Sequence, residues 1–314
     1  MNYTIYSHPA CLEHDPGSGH PENPERLKVI TAALHKSPFA NQLDYVESPL
    51  ASDEQILLAH TPDHLSHIKA VSPTSGWQAL DGDTVMSPES LEASLRGAGA
   101  SCMAVDDLLT DKVTKAFCAT RPPGHHATQD QAMGFCIFNH IAVAALYAKY
   151  HYKLDRVAIV DFDVHHGNGT QDIMTGKEGL LYISTHQSPL YPGTGSVAEN
   201  IPDNIHNIPL PAGTDHHSYQ IHFEQEALST LETFKPELLL VSAGFDAHLN
   251  DPLASLALTE ETYFWLGQQL NKTAQKYCQG KLLSVLEGGY NLAVLGASVS
   301  AFLQGQLQAQ QKNF

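Results

Sequence analysis

The run Val157-Ala-Ile-Val-Asp161-Phe-Asp163-Val-His165-His166-Gly167-Asn168-Gly169 carries an apolar tract straight into two carboxylates and an imidazole spaced two residues apart. In an extended chain, positions i, i+2 and i+4 share one face. The spacing therefore predicts that Asp161, Asp163 and His165 point the same way from the end of a buried strand, into a glycine-rich loop that lets other groups approach closely. Carboxylate oxygens beside an imidazole nitrogen are a donor set for a divalent cation, and a metal site on an α/β sheet is built this way.

Three more polar clusters share that address. Gly124-His125-His126 follows the apolar run at 115–120, Gly244-Phe-Asp246 follows 238–243, and Glu287-Gly-Gly-Tyr290 follows 281–286. Open α/β sheets bind ligands beyond the carboxyl ends of their strands. Each cluster also has a plain reading. Asp-x-His can be a satisfied polar pair, tandem histidines can sit in an exposed loop, Gly-x-Asp is commonly a turn or helix cap, and Gly-Gly is usually a turn. The coincidence of four such clusters carries the metal-site reading. Cys136 and Phe138 read as core, and His14, His20, His60, His64, His67, His216 and His217 as surface or loop residues rather than ligands.

The elements that must position these groups alternate in type. Strands are expected at 2–6, 115–120, 157–163, 180–185, 205–209, 238–243 and 281–286. Helices are expected at 24–35, with proline in the first turn where its missing amide costs nothing, and after the capping box Ser52-Asp-Glu-Gln55. Others are expected from Ser87-Pro88-Glu89 to Leu109, and at 139–150, 217–234 and 259–279. Arg121-Pro-Pro-Gly reads as a turn, and the polar tail after Gln304 as a fraying end. Continuous apolar strands alternating with helices predict an α/β fold, a mostly parallel sheet with helices on both faces in three α/β/α layers.

The chain has 314 residues and 42% hydrophobic content, enough for a large core, and no linker or charge run divides it. A single domain over 1–314 is the expectation. A formal net charge of −17 argues against nucleic-acid and anionic-membrane partners. The five cysteines include no CxxC pair, so neither a zinc ribbon nor a disulfide framework is indicated. The opening residues lack the basic and apolar regions of a signal peptide, and no apolar run approaches a membrane span of about 18 residues. A cytoplasmic protein is expected. Nineteen histidines, several in tight clusters, point to chemistry as well as solvation.

Together these segments resemble the histone deacetylase family, in particular its class II branch and bacterial relatives such as the acetylpolyamine amidohydrolases. The matching stretches run in the family's order from His20-Pro-Glu-Asn-Pro-Glu-Arg26-Leu, through Arg121-Pro-Pro-Gly-His-His-Ala127, Gly134-Phe-Cys-Ile-Phe-Asn-His140 and Asp161-Phe-Asp-Val-His-His-Gly-Asn-Gly-Thr170, to Tyr191-Pro-Gly-Thr-Gly195, Gly244-Phe-Asp-Ala247, Asp251-Pro-Leu253 and Glu287-Gly-Gly-Tyr-Asn291. The resemblance implies an arginase/deacetylase-like fold and one divalent ion, usually Zn2+ with Fe2+ or Mn2+ as alternatives, held by Asp163, His165 and Asp246. It implies a catalytic pair, His125 oriented by Asp161 and His126 by Asn168, with His126 as general base and Tyr290 hydrogen-bonding the oxyanion.

The same resemblance implies tunnel walls from Phe135 and Tyr191, the Gly134 carbonyl accepting the scissile amide N–H, and Leu253 at the gatekeeper position. Tyr191 stands where the family more often has Phe, and Leu253 where polyamine-preferring relatives carry Glu. The substrate so implied is an acylated lysine in a peptide or protein, with an acetylated small amine as the alternative. Asp81 and Asp83 are rim candidates. A structural K+ site at Asp161, Asp163, His165 and Ser184, and an acetate exit near Arg26, are also implied.

Two rivals stand against this reading. Arginase-like ureohydrolases share the architecture but need further carboxylates for a second metal, and here Gly167 and His248 occupy the corresponding positions. A catalytically silent acyl-lysine binding module would keep the fold, but retention of His125, His126 and Tyr290 argues against it.

Overall fold

A computed structural model of the chain describes residues 3–308. The first strand β1 (Tyr3–Ser7) leads through α1 (Ala10–Glu13) and α2 (Glu25–Lys36) to β2 (Leu43–Glu47), α3 (Asp53–Ile56) and α4 (Pro62–Val71). A small hairpin, β3 (Gln78–Ala79) and β4 (Val85–Met86), precedes α5 (Ser90–Leu109), β5 (Lys115–Cys118), α6 (His140–His151), β6 (Val157–Asp161), α7 (Asn168–Met174), β7 (Leu180–Gln187) and β8 (Ile205–Leu210). Then come α8 (His216–His222), a π-helical turn at Phe223–Leu228, α9 (Ser229–Phe234), β9 (Leu238–Ala243), α10 (Glu260–Tyr277), β10 (Leu282–Leu286) and α11 (Leu292–Leu307).

Eight of these strands form one sheet in the order β2-β1-β5-β10-β9-β6-β7-β8, and every pair in it is parallel. Parallel sheets need both faces covered because their crossovers lay helices on each side. The alternation along the strands meets that need. Val157 and Ile159 of β6, with Leu238 and Leu240 of β9, join one core with α5, α6 and α7, while Ala158, Val160, Leu239 and Val241 join the other with α2, α10 and α11. Hence β6, β7, β9 and β10 are buried at every position, and the expected α/β architecture is present.

The order of the sheet matters for chemistry. The chain leaves β5 and crosses to β6, and only later do β9 and β10 fill the gap between them. The four central strands β5, β10, β9 and β6 are therefore neighbours, and their carboxyl-end loops carry His125-His126, Tyr290, Asp246 and the Asp163-His165 segment. This is a topological switch point.

Several expectations need correction. Strand β6 stops at Asp161, so the period-2 argument does not extend to Asp163 and His165, which lie in a bend beyond it. The strand at 115–120 ends at Cys118. His14 and His60 lie in loops as expected but are buried there, and His64 is buried on α4. His14 pairs Nδ1 with the Ser90 hydroxyl at 2.6 Å, His60 Nε2 accepts from the Asn139 amide at 2.8 Å, and His64 Nε2 donates to the Ile137 carbonyl at 2.9 Å. The helix expected at 217–234 contains a π-helical turn, a one-residue excess that a 3.6-residue period does not reveal.

Missed altogether were α1, β2, α4, α7, α11 and the hairpin. Strand β2 is an edge with one buried residue in five, so it has no continuous apolar signal. The tail after Gln304 does not fray at once, for α11 runs to Leu307 and the buried Gln306 donates from Nε2 to the Ser284 hydroxyl at 3.1 Å. Asn2 and residues 309–314 lie outside the described residues. The capping box at Ser52 and Gln55 is present. The five cysteines are free and buried, and no helix among the described residues is long and apolar enough to cross a membrane.

Candidate active site

Asp163, His165 and Asp246 come together at the carboxyl ends of β6 and β9, all three buried, with one donor atom of each within 4.8 Å of the others. His165 Nδ1 lies 3.1 Å from Asp163 Oδ1 and 3.1 Å from Asp246 Oδ2. Donors about 2.0–2.1 Å from a tetrahedrally coordinated ion lie about 3.3 Å apart, so the three atoms fit around a single cation. Backbone amides hold the carboxylates in place. His165 N donates to Asp163 Oδ1 at 2.9 Å, Gly288 N to Asp163 Oδ2 at 2.8 Å, and Val164 N to Asp246 Oδ1 at 3.0 Å. Gly288 must be glycine, because a Cβ there would stand 2.0 Å from Asp246 Oδ2 and 2.6 Å from Asp163 Oδ2.

The electrostatics of the cluster are those of a cation site. Burial, then the charge of Asp163, pushes the Asp246 carboxyl up to about 7. Burial lowers His165, but the Asp163 and Asp246 carboxylates outweigh it and push the imidazole up to about 10. A proton thus sits where a metal ion would satisfy both acids at once.

Asp161 turns away from this trio. Its Oδ2 accepts His125 Nδ1–H at 3.0 Å and the Tyr182 hydroxyl at 2.9 Å, while Oδ1 accepts the Asp163 amide at 3.1 Å. His126 Nδ1–H donates to Asn168 Oδ1 at 2.8 Å, which leaves Nε2 with a free lone pair. The two imidazoles, 4.1 Å apart between centroids, are tuned in opposite directions. Burial lowers both, but the Asp161 and Asp163 carboxylates reverse this for His125 and push it up to about 10, whereas burial and the charges of His125 and His165 hold His126 well below the ordinary imidazole range.

Aromatic rings flank the histidines and Tyr290. Tyr191 packs edge-on to His126 at 5.2 Å and His165 at 6.2 Å, and Phe135 meets Tyr290 edge-on at 5.8 Å. Phe135 adopts φ 68°, a left-handed conformation rare for a bulky side chain, and its amide is held by Thr84 Oγ1 at 3.0 Å. The Gly134 carbonyl accepts the Cys136 thiol at 3.3 Å. Leu253 is half-buried on the loop after β9, beside Asp251. Asp81 lies exposed and Asp83 half-buried on the hairpin, where Asp81 Oδ1 accepts the Asp83 and Thr84 amides at 3.0 and 2.6 Å. Ser184 sits opposite Asp161 in the β6–β7 register, its Oγ 2.9 Å from His186 Nδ1.

Two supporting residues had no assigned role in the sequence reading. Glu287, fully buried, accepts the Gly124 and His125 amides at Oε2 and the Ser242 hydroxyl at Oε1. Glu22 is buried between Arg26 and Arg121, and the Arg26 guanidinium lies 4.9 Å from the Tyr290 ring centroid. Their signal was weak because a lone Glu says nothing of its partners until the fold supplies them.

The model of the histone deacetylase domain matches residues 20–306. The chain is 38% identical over 282 residues to the histone deacetylase-like amidohydrolase of Pseudomonas aeruginosa, covering 88% of this chain and 74% of that protein. It is 30% identical to Type-2 histone deacetylase 1 of Dictyostelium discoideum, covering 94% of this chain but only 28% of that longer protein. The crystal structure of the HDA15 HD domain superimposes with a TM-score of 0.91 at 33% identity, covering 98% of this chain and 91% of the other.

Proposed function

Because the chain belongs to the histone deacetylase family, we propose that it is a zinc-dependent deacylase, a single catalytic domain over 1–314 that hydrolyses the amide of an acylated lysine side chain and releases acetate or a longer acid. The observation that carries the proposal is the buried trio Asp163, His165 and Asp246 beside an oppositely tuned histidine pair.

A divalent ion bound by that trio supplies Lewis acidity to the scissile carbonyl and lowers the pKa of water at the site to about 7. Two oxygens and one nitrogen suit Zn2+, and Fe2+ or Mn2+ are alternatives. His126 accepts the water's proton at Nε2, because Asn168 occupies its Nδ1–H and its environment keeps it neutral. It then passes the proton to the departing amine. General-base transfer of this kind contributes about 10²- to 10⁴-fold. His125, cationic beside Asp161, stabilises the negative charge that develops nearby. Tyr290 donates its hydroxyl to the tetrahedral oxyanion.

Phe135 and Tyr191 wall a tunnel for a linear aliphatic arm, and the Gly134 carbonyl receives the amide N–H in exchange for the Cys136 thiol. Leu253 offers no acidic anchor for a cationic polyamine, which favours acyl-lysine over an acetylated small amine. A potassium ion held by the Asp163 and His165 carbonyls with Asp161 and Ser184 would brace the segment that carries the ligands.

The test is acetate release by the zinc-, iron- and cobalt-loaded chain from acetyl-lysine peptide, longer acyl-lysine peptides and N-acetylpolyamine. Turnover of the lysine substrates supports the proposal. Binding of acetyl-lysine peptide without acetate release would instead establish a silent binding module.

A further inference from the structure

We propose that Asp251 is a positioning residue for this reaction, its carboxylate setting the place of Tyr290 and of Leu253 together; the inference rests on the deacylase reading above. Asp251 lies in the loop after β9 and is 7% exposed. Its Oδ2 accepts the Tyr290 amide at 2.7 Å and the Asn291 amide at 3.2 Å, and its Oδ1 accepts the Leu253 amide at 3.1 Å. One side chain thus ties the loop after β9 to the loop after β10.

The need for such a tie follows from the local sequence. Tyr290 is preceded by Gly288-Gly289, which has no side chains to pack, and Gly289 takes φ 117°. Arg26 and Phe135 touch the Tyr290 ring and bear on its tilt. Its backbone is held on two sides: the Gly289 carbonyl accepts Arg26 Nε–H at 2.7 Å, and the Tyr290 amide itself is held by the Asp251 carboxylate at 2.7 Å. That carboxylate also sits at the start of α11, where Asn291 is the N-cap and the helix dipole favours negative charge. No Lys or Arg among the described residues forms a salt bridge with Asp251, and burial raises its pKa. A buried carboxylate without a cationic partner is costly, and three amides on its two oxygens are what holds it there.

A carboxamide cannot replace it. Asparagine has one acceptor oxygen, so Asp251→Asn must turn an NH2 group against either the Leu253 amide or the Tyr290–Asn291 pair. Leu253 bears on substrate binding and so on KM, whereas the effect on kcat runs through the Tyr290 hydroxyl and should vanish when that hydroxyl is absent.

A double-mutant cycle on the zinc-loaded full chain with acetyl-lysine peptide reads this directly. We expect Asp251→Asn to lower kcat by about tenfold or more with KM changed less than about threefold, yet to lower kcat less than about twofold in the Tyr290→Phe background. Asp251→Glu, which keeps both acceptors, should recover part of the loss. Equal losses in the two backgrounds, an unchanged kcat, or failure of both Asp251 variants to fold would each overturn the proposal. Acetate release by the unaltered chain separates those outcomes from failure of the deacylase reading; its absence would overturn both.

Discussion

The Glu287 carboxylate accepts the backbone amide of His125 at 3.1 Å, and with the same oxygen that of Gly124 at 2.7 Å. The loop bearing the histidine pair, which follows β5, is thereby pinned to the end of β10, its neighbour in the sheet. Glu287→Ala leaves two buried N–H groups unpaired, each costing about 1–3 kcal/mol. Denaturant unfolding should show a loss of about 2–5 kcal/mol. Glu287→Gln, whose oxygen still serves both amides while its NH2 faces Ser242 Oγ, should lose far less; equal losses would contradict the pinning role.

Metal uptake should release protons. With His165 and Asp246 both raised above their ordinary values by the apo cluster, the ion displaces protons from them, so affinity rises with pH and falls as the medium becomes acid. Titration of chelator-treated protein with zinc in weakly buffered solution near pH 7 should acidify the medium. The same titration should raise the melting temperature, by the equivalent of about 2.7 kcal/mol when zinc reaches a hundred times its Kd. A titration with no proton release would refute the shared-proton arrangement.

Tyr290→Phe removes one hydroxyl from the site. Loss of an oxyanion donor costs about 10²- to 10³-fold in kcat, so turnover of acetyl-lysine peptide should fall at least about a hundredfold with metal content unchanged. Near-normal turnover would dismiss the assigned role.

Leu253→Glu places a carboxylate at the gate. The ratio of kcat/KM for N-acetylpolyamine over acetyl-lysine peptide should rise, because a cationic amine gains an ionic anchor that a neutral peptide backbone does not use. An unmoved ratio would discredit the gate argument.

Glu22 ties stability to acid. Burial alone would raise its carboxyl pKa, but the charges of Arg121, His14 and Arg26 outweigh that and hold it well below the ordinary carboxylate range. Its folded-state pKa is therefore below the unfolded value. Its contribution is fully present above about pH 4.3 and is lost as pH falls through the depressed folded value. Glu22→Gln, which leaves Arg26 and Arg121 buried without a counter-charge, should cost about 3–5 kcal/mol at neutral pH and flatten the acid limb of a stability–pH curve. An acid limb identical to that of the unaltered chain would exclude Glu22 as its source.

Much of the site was legible in the amino-acid order because metal and proton chemistry demand particular side chains. Asp163, His165 and Asp246 stand out as ligand types at strand ends, and the brackets Asp161–His125 and Asn168–His126 implied by resemblance are hydrogen-bonded in the structure. The buried strands were legible too, since a parallel strand covered on both faces reads as an unbroken apolar run. Edge strand β2, with four of its five residues not buried, offered no such run.

By itself, the sequence determined which residues are chemically able and that their clusters follow apolar strands. Only the tertiary structure decided who stands beside whom. A strand's hydrophobic pattern is the same whichever strand lies next to it, so nothing in β9 or β10 announces that they insert between β5 and β6. That insertion brings Asp246 to His165 and puts Tyr290 at the same end of the sheet. Hydrogen bonds between distant segments, such as Glu287 with His125 and Asp251 with Tyr290, follow from it, because they join atoms that the chain order leaves 162 and 39 residues apart.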